Sequence, residues 1–172
     1  MQLLFLRHGI AVAHGAPGYE SDDDARPLTD KGIKGVRRVA RALDGLAQLD
    51  VIITSPLPRA RQTADLVAAR LGAPVVETPL LGFGFSAGAL TEALRLAADR
   101  VGSEGLGQVM LVGHEPSMSH TIGVLISGSP IGLDLPKAAL ARVDVANATL
   151  QGANLVWLIP QGIWRGKKKQ DK

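Results

Sequence analysis

The sequence predicts an α/β fold, a three-layer α/β/α sandwich around a mainly parallel sheet. Three observations predict it. Leu3-Leu4-Phe5-Leu6, Val51-Ile52-Ile53 and Val109-Met110-Leu111-Val112 are uninterrupted apolar runs, as strands buried on both faces should be. Stretches with apolar residues at helical spacing separate them, the alternation expected of parallel strands joined by crossover helices. Each run ends in polar residues, and open α/β sheets hold their ligands at the strands' carboxyl ends. The length of 172 residues fits one domain, and 46% hydrophobic content with 3% aromatic predicts an aliphatic core. A single domain over 1–164 and a basic, solvated and disordered tail over 165–172 are expected.

Taken in order, the first strand delivers Arg7, His8 and Gly9 to the sheet edge. The connection from Ile10 to Ala25 carries the acidic cluster Glu20-Ser21-Asp22-Asp23-Asp24, read as a solvated loop or as a rim repelling small polyanions. His14 lies in it, but no carboxylate or third histidine stands at metal-ligand spacing with His8 and His14. Thr29 can cap a helix whose buried stripe is Ile33, Val36, Ala40, Leu43 and Ala47, with Lys34, Arg37, Arg38 and Arg41 facing solvent.

The second strand runs into Ser55-Pro56, which reads as an N-cap followed by proline at the first helical position. Ala60, Ala64, Val67 and Leu71 form that helix's buried stripe. Arg59 and Arg61, two residues apart, lie on different sides of it, and Arg59 is nearer the end where backbone N–H groups favour an anion. Pro74 to Glu77 reads as a short strand. The glycine-containing stretch Leu81 to Gly88 has its third glycine one residue late for a dinucleotide loop, and is expected as a flexible loop near the site mouth.

Leu90, Leu94, Ala97 and Val101 mark a third helix, and the next strand ends in Gly113-His114-Glu115-Pro116. The zinc-peptidase pattern H-E-x-x-H fails there, because Met118 occupies the second histidine's place and His120 is out of register. Met118, Ile122 and Leu125 give a fourth helix its buried side; Ala139 to Val145 and Asn154 to Ile159 read as two more strands.

Composition narrows the chemistry. With no cysteine there is no disulfide, thiolate nucleophile or cysteine-held metal. No apolar run reaches about 18 residues and no signal-peptide pattern opens the chain, so no membrane association and a cytoplasmic location are expected. The tail carries five basic residues and one acidic, and the remainder is close to neutral with 14 basic against 15 acidic, which disfavours nucleic acid as a partner. If the apolar strands are parallel neighbours, Arg7, His8, Arg59 and His114 share one crevice. Two guanidiniums and two imidazoles together favour an anion, and a phosphoryl group matches guanidinium geometry.

The R-H-G tripeptide after the first strand, S-P-L-x-R-A-x-Q-T-A from Ser55 to Ala64 and G-H-E-P from Gly113 to Pro116 resemble the histidine phosphatase superfamily, which includes phosphoglycerate mutases and fructose-bisphosphatase domains. The small size and the R-P-L-T-x-x-G segment from Arg26 to Gly32 most resemble its small bacterial phosphohistidine phosphatases of the SixA type. The resemblance runs from Met1 to about Ile126 and implies a phosphoglycerate mutase-like fold. It also implies a phosphatase that needs no metal or cofactor. His8 would be the nucleophile, Arg7 and Arg59 would clamp the phosphoryl oxygens, and His114 would donate a hydrogen bond to them.

Many larger relatives use a carboxylate as general acid after the third strand, yet Thr78 to Thr91 contains none, leaving Glu92 and Glu115 as candidates. A phosphoimidazole needs that acid less than an alkyl ester does. The expected substrate is therefore phosphohistidine in a phosphorelay or phosphotransfer protein. A phosphatase of small phosphate esters or nucleotides is the alternative, and a phosphate- or phosphoprotein-binding module without turnover the second.

Overall fold

The structure, a computed structural model, describes residues 1–102, 105–146, 150 and 152–164. Six strands form one sheet: β1 (Gln2–Arg7), β2 (Val51–Thr54), β3 (Val75–Glu77), β4 (Gln108–Gly113), β5 (Leu140–Asp144) and β6 (Asn154–Ile159). Their order is β3-β2-β4-β1-β5-β6. β3, β2, β4 and β1 are mutually parallel; β5 pairs antiparallel with both β1 and β6. The expected three-layer sandwich with a mainly parallel sheet is the observed architecture. The basic tail at 165–172 lies outside the described residues.

Period-2 alternation persists inside the apolar strands and divides the core in two. Leu4, Leu6, Ile52, Met110 and Val112 pack against α1 (Asp30–Leu43) and α2 (Pro58–Leu71) through Val36, Val39, Ala40, Ala60, Ala64 and Val67. Leu3, Phe5, Ile53, Val109 and Leu111 face α3 (Ala87–Val101) and α4 (Ser117–Ser127) through Leu90, Ala93, Ala97, Met118 and Ile122. Right-handed crossovers account for this division. From β1 to β2 to β3 the chain steps one way along the sheet, whereas from β3 to β4 it steps back, so the connecting helix falls on the opposite face.

Local chemistry explains the helix starts. Thr29 caps α1 as expected, its side chain accepting from the Gly32 N–H. For α2 the expectation needs correcting. The helix begins at Pro58, not Pro56, and its N-cap is Leu57, with no side-chain cap. Leu57 precedes a proline, and the pyrrolidine ring drives it to extended backbone (φ −63°, ψ 133°), so the helix cannot start earlier. Ser55 is left free to act elsewhere.

Gly9 and Gly32 are required by close approach. A Cβ on Gly32 would lie 2.1 Å from the Ile10 carbonyl oxygen, and one on Gly9 would lie 2.8 Å from Val36 Cγ2. The chain leaving β1 thus lies directly on α1. Gly9 contributes lack of bulk to the site region. Among the described residues, no helix is long and apolar enough to cross a membrane.

Candidate active site

The adjacent strands β2, β4 and β1 put their carboxyl ends side by side, with Arg7 opposite Gly113 and Thr54 opposite Val112. The ladder extends one residue further: the His8 N–H donates to the Gly113 carbonyl and the Ser55 N–H to that of Val112, each at 3.1 Å. His8 and His114 therefore emerge together, ring centroids 5.0 Å apart, both almost fully buried. Arg59, in the first turn of α2, is 2% exposed and reaches the same place. Arg61 points away and pairs with Asp65 and Glu77 on the surface.

The His8 ring is fixed by a hydrogen bond of 2.8 Å between Nδ1 and its neighbour's carbonyl, Gly9 O. A carbonyl only accepts, so Nδ1 carries the proton and Nε2 is unprotonated, with its lone pair directed outward from the ring. Gly9 is held in turn: its N–H donates to Thr63 Oγ1 at 3.1 Å, and that hydroxyl donates to the Arg59 carbonyl at 2.7 Å. Gln62 Oε1 accepts from the Leu28 N–H at 2.8 Å. The Arg59-x-x-Gln62-Thr63 stretch thus presents one guanidinium to the site and braces two loops around it.

His114 Nε2 lies 2.9 Å from Ser55 Oγ, while its Nδ1 is buried with no partner among the described residues. Arg7 donates from Nη1 to the Leu135 carbonyl at 2.9 Å, and its buried Nε has no protein acceptor among them. Phe83, 61% exposed, leans on the His114 ring with centroids 5.1 Å apart, and Arg59 Cζ lies 5.6 Å from its ring centre. Phe83 belongs to the stretch from Leu81 to Gly88 expected at the site mouth; it is not all loop, since Leu81 ends a 3-10 turn and Ala87 and Gly88 open α3.

Sequence patterns did not single out two contributors. Lys137 Nζ lies 3.2 Å from His8 Nε2. It belongs to no motif; its one signal is that it is the only lysine outside α1 and the tail. Asp23, one of four acids in its loop, turns inward: Arg59 donates from Nη1 to its carbonyl at 2.8 Å and places Nη2 3.5 Å from Oδ2. Arg26 pairs with Asp23 Oδ1 at 2.7 Å. The cluster is therefore not simply a solvated rim.

The two glutamates lie apart from these groups or are tied down. Glu92 is on an exposed part of α3, paired with Arg95 at 2.6 Å. Glu115 follows His114; at the start of α4 its Oε1 accepts from the Ser119 N–H at 3.2 Å and its Oε2 from the Ser119 hydroxyl.

Burial and mutual repulsion set the protonation states. His8 is pushed far below its ordinary range by desolvation first, then by Lys137, His114 and Arg59. Burial first, then Arg59 and Lys137, lowers His114 to about 3. Lys137 is lowered to about 8, by burial and then by Arg7, Arg59 and Arg26. At neutral pH the pocket holds two neutral imidazoles amid cations whose contacting carboxylate is Asp23. Such a site favours a tetrahedral oxyanion, and it offers an unprotonated imidazole nitrogen to attack it.

Comparison with known proteins agrees with this chemistry. Residues 3–82 match the histidine phosphatase superfamily (branch 1). An uncharacterised protein of Picosynechococcus sp. is 32% identical over 168 residues, spanning 95% of this chain and 98% of its own. The fold superposes on the protein histidine phosphatase SixA in complex with tungstate with a TM-score of 0.79, at 25% identity, over 96% of this chain and 100% of that one. The α-ribazole phosphatase of Shigella flexneri gives a TM-score of 0.69 at 22% identity, over 94% of this chain and 97% of that one. The chain belongs to the histidine phosphatase superfamily.

Proposed function

We propose that the chain is a phosphatase that works through a phosphohistidine on His8 and that its substrate is phosphohistidine carried by another protein. In the first step the His8 Nε2 lone pair attacks phosphorus in line. The bond between phosphorus and the substrate's imidazole nitrogen breaks, and its electron pair stays with that imidazole. Arg7 and Arg59 hold the equatorial oxygens, and His114 donates to one of them. His8 is then a phosphoimidazolium, with Nδ1–H still donating to the Gly9 carbonyl. Water next attacks phosphorus, the P–Nε2 electron pair returns to His8, and phosphate leaves with the water's proton passing to solvent.

One observation carries the choice of substrate: the two candidate glutamates and the carboxylate in contact with the pocket are each committed to another partner. Glu92 pairs with Arg95, Glu115 with Ser119, and Asp23 with Arg26 and Arg59. An alkoxide departs poorly without an acid, whereas a protonated phosphoimidazole departs as neutral imidazole. The likeness to SixA supports the same reading. The likeness to an α-ribazole phosphatase supports the second one, a small phosphate ester.

The test measures phosphate release from a phosphohistidine-bearing transfer protein and from p-nitrophenyl phosphate, for the wild type and His8→Ala. The proposal expects a higher kcat/KM on the protein, and a loss on the order of 1,000-fold or more in the variant. Preference for small esters would favour the second reading. No turnover by the wild type, with phosphate binding intact in both, would make the chain a binding module.

A further inference from the structure

We propose that Lys137 is a phosphoryl-holding residue of this site, its ammonium passing from His8 Nε2 to an equatorial phosphoryl oxygen when substrate arrives. This rests on the reading of the site as a phosphatase centre. Three observations carry it.

The first is position. Nδ1 of His8 is committed to the Gly9 carbonyl, so Nε2 is the atom that attacks, and Lys137 Nζ lies 3.2 Å from it. A phosphorus atom approaching Nε2 displaces the ammonium from the lone pair and brings its own equatorial oxygens within the ammonium's reach. The leaving atom of an in-line displacement lies on the far side of phosphorus, beyond Lys137. Lys137 therefore serves the transferred group and not the departing one.

The second is construction. Ala138, next to Lys137, has φ +56°, a left-handed conformation uncommon for a residue with a Cβ. Contacts to the start of the site hold it there: Ala138 N–H donates to the His8 carbonyl and Arg7 N–H to that of Ala139, both at 3.2 Å. The Ala139 N–H closes the turn on Pro136 O at 2.8 Å. The same backbone that carries Arg7 and His8 thus fixes Lys137 over the ring.

The third is charge. Lys137 is half-buried and has no carboxylate partner among the described residues. The groups facing it are His8 and Arg7 at the end of β1, Asp23 and Arg26 in the following loop, Arg59 on α2 and His114 after β4. A half-buried cation among three guanidiniums is unfavourable until an anion joins it. Its lowered pKa, about 8, is the signature of that arrangement.

The test is calorimetric binding of tungstate, which remains a dianion at neutral and alkaline pH, to wild type, Lys137→Met and Lys137→Arg. Near pH 7 the Met variant should bind roughly ten- to a hundredfold more weakly, the loss of one charge-assisted hydrogen bond. Wild-type affinity should fall as pH rises through about 8, where Lys137 loses its proton. The Met variant should lack that inflection, and the Arg variant should bind without it up to about pH 9. On p-nitrophenyl phosphate the Met variant should lose kcat as well as raise KM. A Met variant that binds within about twofold of wild type, or keeps the inflection, overturns the proposal. Tungstate binding needs no turnover, so a chain that hydrolyses nothing would refute the phosphatase reading while the Lys137 result could still be read.

Discussion

Thr63→Val probes how the fold holds the attacking imidazole. Thr63 is fully buried, and its hydroxyl links the Gly9 N–H at 3.1 Å to the Arg59 carbonyl at 2.7 Å. Valine has nearly the same shape, so the change removes both hydrogen bonds without opening a cavity. The Gly9 N–H is then buried without an acceptor, at about 1–3 kcal/mol, partly offset because a hydroxyl no longer has to be desolvated. A net loss of about 2 kcal/mol is expected, which for a chain of 172 residues is a fall in Tm of roughly 4–8 °C. Gly9 also supplies the carbonyl that orients the His8 ring, so kcat should fall about tenfold while KM, set by the guanidiniums, changes little. Urea unfolding followed by circular dichroism gives the stability, and turnover of p-nitrophenyl phosphate gives the split. An unfolding midpoint equal to wild type at unchanged slope, with unchanged kcat, would refute the bracing role.

Two further predictions concern charge. His8 and His114 are held neutral, with folded-state pKa values below the ordinary 6.5, so the unfolded chain binds more protons than the native one as pH falls. Stability should therefore drop below pH 6.5, approaching about 1.4 kcal/mol per pH unit for each imidazole, and for His114 the loss should end near pH 3. Urea unfolding at a series of pH values checks this, and a flat profile between about pH 7 and 5 would contradict it. Asp23→Asn keeps the shape that Arg26 and Arg59 meet but removes the negative charge competing with an incoming anion. Tungstate affinity should rise a few-fold in calorimetry, and equal or weaker binding would show that the carboxylate does not compete.

Much of the site was legible because its parts are local. Strands buried on both faces must be apolar throughout, so β1, β2 and β4 stand out, and the residues that follow them are at the sheet edge by construction. The two-residue spacing of Arg59 and Arg61 separated the buried guanidinium from the surface one. Strand order was not legible, because β1 pairs with β4 across more than a hundred residues and with the antiparallel β5 further still, and nothing near Gln2 encodes either partner. Ser55-Pro56 resembled a helix start, but a second proline two residues on held Leu57 extended, and Ser55 meets His114 instead. Lys137 and Asp23 lie in loops, where direction depends on contacts with distant backbone: Ala138 on His8 for the first, Arg59 on Asp23 for the second.

The central claim is that His8 Nε2 carries the phosphoryl group between the two steps. The most direct test is to quench turnover rapidly in alkali, where phosphohistidine survives, and to locate the phosphate by peptide mass spectrometry and 31P NMR. The account predicts one phosphate per chain at most, on Nε2 of His8, absent from His8→Ala. Phosphate on Nδ1, on His114 or on a hydroxyl, or turnover that persists in His8→Ala, would contradict it.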